Sequence, residues 1–296
     1  MAARQRDDGN SAARPVMLRL ASCNILHGLV LPEAVSDITA VARGIAGLDV
    51  DVVALQEVDR GQSRSGEVDQ AAAIAEHLGW HHAFAPALVG SPDSAWDVPA
   101  PGQGGTGAQA PGYGVALVSR HPLSAVTVTR LPGGGPGRRR APATQGNPGY
   151  DREPRTALSA TVVSDGAALR VTTTHLSYLP WRGLRQAHAA AAATAGWIGP
   201  AALLGDLNLP AWAVRMLLAR PGAGRWSHAG GTPTYPAWNP RLQTDQLLVR
   251  SGAVVVELAV GARTTSDHLP LVALVTVARG AAPAGGGGAH AAVPSG

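Results

Sequence analysis

Between residues 17 and 277 the chain repeats one pattern: an apolar run of strand length, a polar turn, and then, in several places, apolar residues at helical spacing. A chain written this way must build a sheet from short strands and cover it with helices, which restricts it to α/β architectures. The segment 17–26 (MLRLASCNIL) alternates early and then meets His27-Gly28, as a strand does on reaching a loop. The next stretch, 34–48, sets Val35, Ile38, Val41, Ala42 and Ile45 on one stripe and predicts a helix. Apolar residues from Val50 to Leu55 predict a strand that stops at Gln56-Glu57, and a helix over 67–79 would turn Ala71, Ile74, Ala75 and Leu78 inward. Strands are expected at 114–119, 157–163 and 169–174. They are followed by an Ala-rich helix over 182–198, an apolar run at 201–206 and a short helix near 211–219. Three more strands are expected near 245–249, 253–258 and 271–277.

No repeat of solenoid period and no break in composition divides this series, so a single domain over 16–279 is expected. Residues 1–15 are polar and 280–296 are Gly/Ala-rich, and both are read as disordered ends. Two internal stretches, 89–111 and 131–150, hold too much Gly and Pro to pack as elements and are read as long loops. The single cysteine, Cys23, excludes an internal disulfide. The charged start lacks the apolar core of a signal peptide, which makes the cytoplasm the default compartment. No run approaches the ~18 apolar residues of a membrane span. The net charge is only +4 and all the cations are arginines, a balance that allows nucleic acid or phosphorylated substrates without demanding them.

The chemistry gathers where apolar runs meet unexpected polar residues. Asn24 follows the first run, Gln56-Glu57 the second, His175 follows VTTT, and Asp206 and Asn208 follow ALLG. Asp245 opens DQLLV, and Asp267-His268 precede the last run. Carboxylates and carboxamides are hard oxygen ligands suited to Mg²⁺, and the two histidines can act as acid, base or phosphate-binding groups. There is no zinc-type Cys/His spacing, no phosphate-binding loop with Lys-Ser/Thr and no G-x-S-x-G elbow. Any one of these residues alone is explained as a turn former or a solvated charge. Their occurrence together is not.

The ordered series CNILHG, VVALQEVD, YGVALVSRHPL, REPRTAL, TTTHLS, LLGDLNLP, TYP…TDQLLV and SDHLPL resembles the endonuclease/exonuclease/phosphatase superfamily over roughly 17–278. The resemblance implies a four-layer α/β/β/α sandwich of two packed mixed sheets, DNase I-like, with the site where loops of both sheets converge. It implies divalent-metal-dependent hydrolysis of a phosphodiester or phosphomonoester, with Mg²⁺ (or Mn²⁺) as cofactor. By the same resemblance Glu57 is the main metal ligand, Asn24 a second ligand or its neighbour, and Asp267 completes the shell. Asp206 orients or deprotonates water, Asn208 binds phosphoryl oxygens, His175 binds a phosphoryl oxygen or assists the leaving group, and His268, oriented by Asp245, contacts the phosphate or acts as base. Arg155, His27, Arg64 and Tyr113 are substrate-binding candidates, Tyr235 and Trp238 rim candidates, and Arg138–Arg140 a basic cluster in a Gly/Pro loop.

Three departures stand out: Val115 where members often carry Asn, Leu207 in GDLN where Phe is usual, and Gln246 in DQLL where an aromatic is usual. They bear on packing and substrate contacts more than on the metal chemistry. Nucleic acid, a phospholipid headgroup and a small soluble phosphate ester remain the substrate classes for what is expected to be a monomeric enzyme. Trp96 is the one candidate membrane anchor in 89–111. The rival reading is a noncatalytic scaffold on the same fold, which should have lost at least one of Glu57, His175, Asp206, Asn208 or His268. All five are present.

Overall fold

A computed structural model describes residues 14–91, 96–100, 103–106, 110–133, 151, 153–218 and 225–279. The tail at 280–296, almost all of the leader, and Arg138–Arg140 lie outside them. The first half runs β1 (Val16–Asn24), β2 (Leu29–Val30), β3 (Val35–Ser36), α1 (Ile38–Ala46), β4 (Val52–Arg60), α2 (Gln70–Leu78), β5 (His81–Gly90), β6 (Trp96–Asp97) and β7 (Gly112–Ser119). Next come β8 (Leu123–Arg130), β9 (Thr156–Ser164), β10 (Ala167–His175), α3 (Pro180–Ala192), β11 (Ala201–Asp206) and α4 (Ala211–Leu218). The last strands are β12 (Ser227–His228), β13 (Asp245–Arg250), β14 (Ala253–Val260) and β15 (Leu271–Val277).

Local chemistry sets the boundaries and corrects several expectations. The first helix starts at Ile38, not at residue 34, because the Asp37 carboxylate caps the Ala40 N–H at 2.9 Å. Val35 therefore lies in β3, exposed, and not on the helical stripe. Asp69 caps the second helix on the Ala72 N–H, and Gly79 closes it in the left-handed conformation that a glycine adopts freely. The Ala-rich helix begins at Pro180, which fits a first turn, and ends at Ala192. Just beyond, the Thr194 hydroxyl bonds back to the Ala191 carbonyl, the local competition that makes Thr a poor helix continuer. Strands β5 and β8 escape the sequence reading. Pro86 interrupts the first of these, a residue that argues against a strand, and a register shift between Pro86 and Leu88 accommodates it. The second is an edge strand with most of its side chains partly exposed.

The strands form a seven-stranded sheet, order β14-β15-β1-β4-β7-β5-β6, and a six-stranded sheet, order β12-β13-β11-β10-β9-β8. Strand alternation does the layering. On β1 and β4, Leu18, Leu20, Val52 and Ala54 pack against Leu158, Leu169, Val171 and Leu204 of the other sheet. The alternate residues Ala21, Cys23, Val53 and Leu55 pack under the first two helices with Val41, Ile45 and Ile74. On the far side Leu203 and Leu248 meet Ala187, Ala190, Val214 and Leu217 of α3 and α4. The result is the expected α/β/β/α sandwich, closed by burial on both faces of both sheets.

Gln56 crosses the middle of that sandwich, fully buried. Its Nε2 donates to the Ala54 carbonyl and to Thr173 Oγ1 of the opposite sheet, both at 3.1 Å, while its Oε1 accepts from Ser22 Oγ. Gln56→Ala should leave these groups unpaired and lower the unfolding free energy by about 1–3 kcal/mol. Urea denaturation followed by far-ultraviolet circular dichroism measures it.

Candidate active site

Register brings the chain-distant polar residues to one edge. Strands β1 and β4 are parallel with Asn24 opposite Gln56, β10 and β11 are parallel with His175 opposite Asp206, and β13 starts with Asp245 opposite Asp206. The loop carrying Asp267 and His268 enters β15, which pairs with the same end of β1. Glu57 is not where its strand stops, as the apolar pattern suggests, but inside β4, at a bulge between Leu55 and Val58. It is left-handed (φ +56°), the local rearrangement by which a bulge re-aims a side chain.

A cavity of about 500 Å³ opens at this edge, lined by Glu57, His175, Asp206, Asn208, Asp267 and His268. His27, Arg64, Tyr113 and Arg155, the four substrate-binding candidates, also line it, as does Tyr235. Trp238 does not line it and stands exposed nearby. Asn24 and Asp245 are buried behind the cavity surface. The Asn24 amide nitrogen donates to Glu57 Oε1 at 3.0 Å and to Asp206 Oδ2 at 3.2 Å, while its oxygen accepts the Leu26 N–H. Asn24 is thus the neighbour that ties two carboxylates together.

Asp206 Oδ2 is the hub. It lies 3.6 Å from His175 Nε2 and 3.8 Å from His268 Nε2. His268 Nδ1 is held by Asp245 Oδ2 at 2.9 Å, and that carboxylate also accepts from Thr234 at 2.6 Å. Burial disfavours a charged His268, but the bond to Asp245 and the charges of Asp245, Asp206 and Asp267 outweigh it and raise the imidazole to about 10. The opposite holds for His175: burial, then Arg155 and the other histidines, push it well below its ordinary value. Asn208 Nδ2 donates to His175 Nε2 at 3.2 Å, which places that ring's proton on Nδ1. Burial and the charge of Asp245 raise Asp206. Burial raises Glu57 to about 7 against the help of Asn24, with Asp206, Glu153 and Asp267 adding repulsion.

Several site residues carried no assigned role in the sequence. Asp59, two residues beyond Glu57 on β4, is fully buried and grips Arg64 with two bonds of 2.7 and 2.8 Å. Gln70 ties this corner together by accepting the Asp59 N–H and donating to the His27 carbonyl. The His27 imidazole stands 3.4 Å from Glu57, and burial and Arg64 lower it to about 4. Arg155 pairs with Asp151 and Glu153, not with Glu57, and only its Nε is without a partner among the described residues. Trp96 is buried against Leu88 and Tyr113 and lines the cavity, so it is not a membrane anchor. The wall made by Tyr178 and Leu242 has no sequence signal.

The sequence matches the model of the Endonuclease/Exonuclease/phosphatase family over residues 21–268. The chain belongs to this family. Membership supports phosphoric ester hydrolysis as the class of reaction. No match was found among curated proteins. Solved structures share the fold. An endonuclease/exonuclease/phosphatase from Beutenbergia cavernae superposes with a TM-score of 0.58 at 22% identity, covering 88% of this chain and 72% of that one. A Bacteroides vulgatus member gives 0.61 at 15% identity over 88% and 99%. D. rerio TDP2, solved with a single-strand DNA product, gives 0.54 at 16% over 88% and 98%.

The donor set fits a hard divalent cation. Among the described residues no three His, Cys, Asp or Glu side chains form a ready cage. Mg²⁺ does not need one, because it keeps several waters and takes one or two carboxylates plus substrate phosphate. The upward pull on Glu57 from three other carboxylates is the uncompensated negative charge that a cation relieves. Asp245→Asn should keep the fold but lose the carboxylate that fixes the His268 tautomer, lowering kcat about 10²-fold or more with little change in KM. Steady-state kinetics on an aryl phosphodiester checks it.

Proposed function

We propose that the chain is a Mg²⁺-dependent phosphoesterase, with Mn²⁺ as a substitute, that cleaves a phosphodiester or phosphomonoester. The observation that carries this reading is the Asp206 carboxylate lying within 4 Å of two histidines and bonded through Asn24 to Glu57. Glu57 and Asp267 would hold the cation, with Asn24 fixing Glu57 from behind. When bound, the cation neutralises charge that develops on the phosphoryl oxygens.

The remaining steps belong to this chain's residues. Asp206 accepts a proton from the attacking water, since its Oδ2 stands at the centre of the cluster, between Asn24 and the two histidines. Asn208 Nδ2, held in reach by His175, donates to a phosphoryl oxygen, and His268 Nε2, kept in place by Asp245, donates to the phosphate. Such preoriented donors supply the largest share of catalysis in sites of this kind. Arg64 and Arg155, each braced by a buried carboxylate, attract the anionic substrate. The scaffold reading is disfavoured because Glu57, His175, Asp206, Asn208 and His268 all line one cavity.

Three measurements check the proposal. Hydrolysis of an aryl phosphodiester should require Mg²⁺ or Mn²⁺ and stop with chelator, and activity surviving full chelation refutes the metal mechanism. Asp206→Ala and His268→Ala should each reduce turnover by about 10²–10³-fold with an unchanged circular dichroism spectrum. Millimolar Mg²⁺ should raise Tm in the wild type and not in Glu57→Gln, a readout of binding that needs no turnover. A substrate panel of duplex and single-stranded DNA, RNA, phospholipid, inositol phosphates and nucleotides then assigns the class.

A further inference from the structure

Four large aromatic side chains stand exposed among the described residues: Tyr178, Trp181, Trp212 and Trp238. All four lie on segments that follow strand ends at the catalytic edge. Tyr178, 45% exposed, is three residues past His175 and lines the cavity. Trp181, 64% exposed, is in the first turn of α3. Trp212, also 64% exposed, is in the first turn of α4, six residues past Asp206. The two first turns are neighbours, because Gly183 packs against the Leu209 side chain. Met216, one turn after Trp212 on the same helical face, is 61% exposed, and Leu242 at the cavity wall is 56% exposed. Elsewhere the exposed large hydrophobics are aliphatic, so the aromatic ones mark this mouth.

The helices that carry the tryptophans bear charge of one sign. From Leu176 to Thr244 the sequence holds six arginines and one acid, Asp206, which is inside the cavity. Arg185 and Arg215 are exposed on the same helices as the tryptophans, and Arg241 stands beside Leu242. An exposed apolar shoulder whose two helices carry cations and no acid matches an anionic surface that also accepts apolar side chains. Trp and Tyr settle at the headgroup level of a bilayer, and each nearby Arg adds attraction to anionic lipid.

We propose that this mouth docks on an anionic lipid surface, through Trp181, Trp212 and Met216, and presents the cavity to a phosphate ester held at that surface. The docking rests on the hydrolase reading only for its purpose, not for its contacts. A single-stranded nucleic acid would use the aromatic faces and the arginines, but it gains nothing from Met216 and Leu242 and favours a charged groove over helix shoulders. No helix among the described residues is long and apolar enough to cross a membrane, so contact would be peripheral.

Sedimentation with vesicles tests the proposal, using phosphatidylcholine alone and phosphatidylcholine mixed with phosphatidylserine, in chelator so that no hydrolysis occurs. The full chain should pellet with the anionic vesicles and show a blue shift in tryptophan emission. The double variant Trp181→Ser/Trp212→Ser should bind about tenfold or more weakly, and Arg185→Gln/Arg215→Gln should lose the preference for anionic lipid. Both variants should hydrolyse a soluble aryl phosphodiester, with metal restored, at the wild-type rate. Failure of the wild type to pellet, or equal binding by the tryptophan variant, overturns the docking. So does release from vesicles by a single-stranded oligonucleotide that binds with higher affinity and depends on the same tryptophans. Vesicle binding by an enzyme with no activity would instead refute the hydrolase reading and leave the docking intact.

Discussion

The Asn24 amide nitrogen donates to Glu57 on its own sheet and to Asp206 on the other, and the site depends on that bridge. Two buried carboxylates brought this close repel each other and lose hydration, a cost that only donors or cations can offset. One neutral amide with its oxygen anchored on the Leu26 N–H fixes both without cancelling their charge. What remains is an electronegative pocket with a defined shape. Burial lowers both histidines and their neighbours then drive them apart: Asp245 and the other carboxylates raise His268, while Arg155 lowers His175 further. Two residues of one type acquire different roles from their surroundings.

The sandwich exists to hold that bridge. Gln56, one residue before Glu57, crosses to Thr173, two residues before His175. The sheets are thereby locked in register a few ångströms below the cavity, in a core otherwise built of Leu, Val and Ala. A polar crosslink in such a core stabilises one arrangement of the sheets over others, because a sliding partner would leave the amide unpaired. The same logic extends outward through Asp59, Arg64 and Gln70, which tie the β4 bulge to the loop carrying His27.

Much of the fold was legible. Period-two and helical patterns located nine of the long strands and all four helices, since apolar faces must be buried wherever they occur. The failures have local causes. Pro86 disguised β5, edge exposure disguised β8, and the Asp37 cap moved the start of α1. The polar residues that line the cavity were legible because polar groups at the ends of apolar runs are expensive to bury. Asp59 and Glu153 were not singled out, because a carboxylate among arginines reads equally well as a solvated charge. Trp96 stood only as a candidate anchor, since Gly/Pro-rich surroundings hid its packing on Leu88 and Tyr113.

The sequence by itself determined the layers, the ordered motifs and the residue types of the site, because burial periodicity and donor chemistry are local properties. Tertiary structure alone decided which of those residues meet. Parallel pairing of β1 with β4 and of β10 with β11 put four strand ends on one edge, and the bulge turned Glu57 into the cavity. It also decided that Trp181 and Trp212 stand exposed beside that cavity while Trp96 and Trp226 are buried. A tryptophan reads the same in either place until the neighbouring helix and sheet have claimed or left its face.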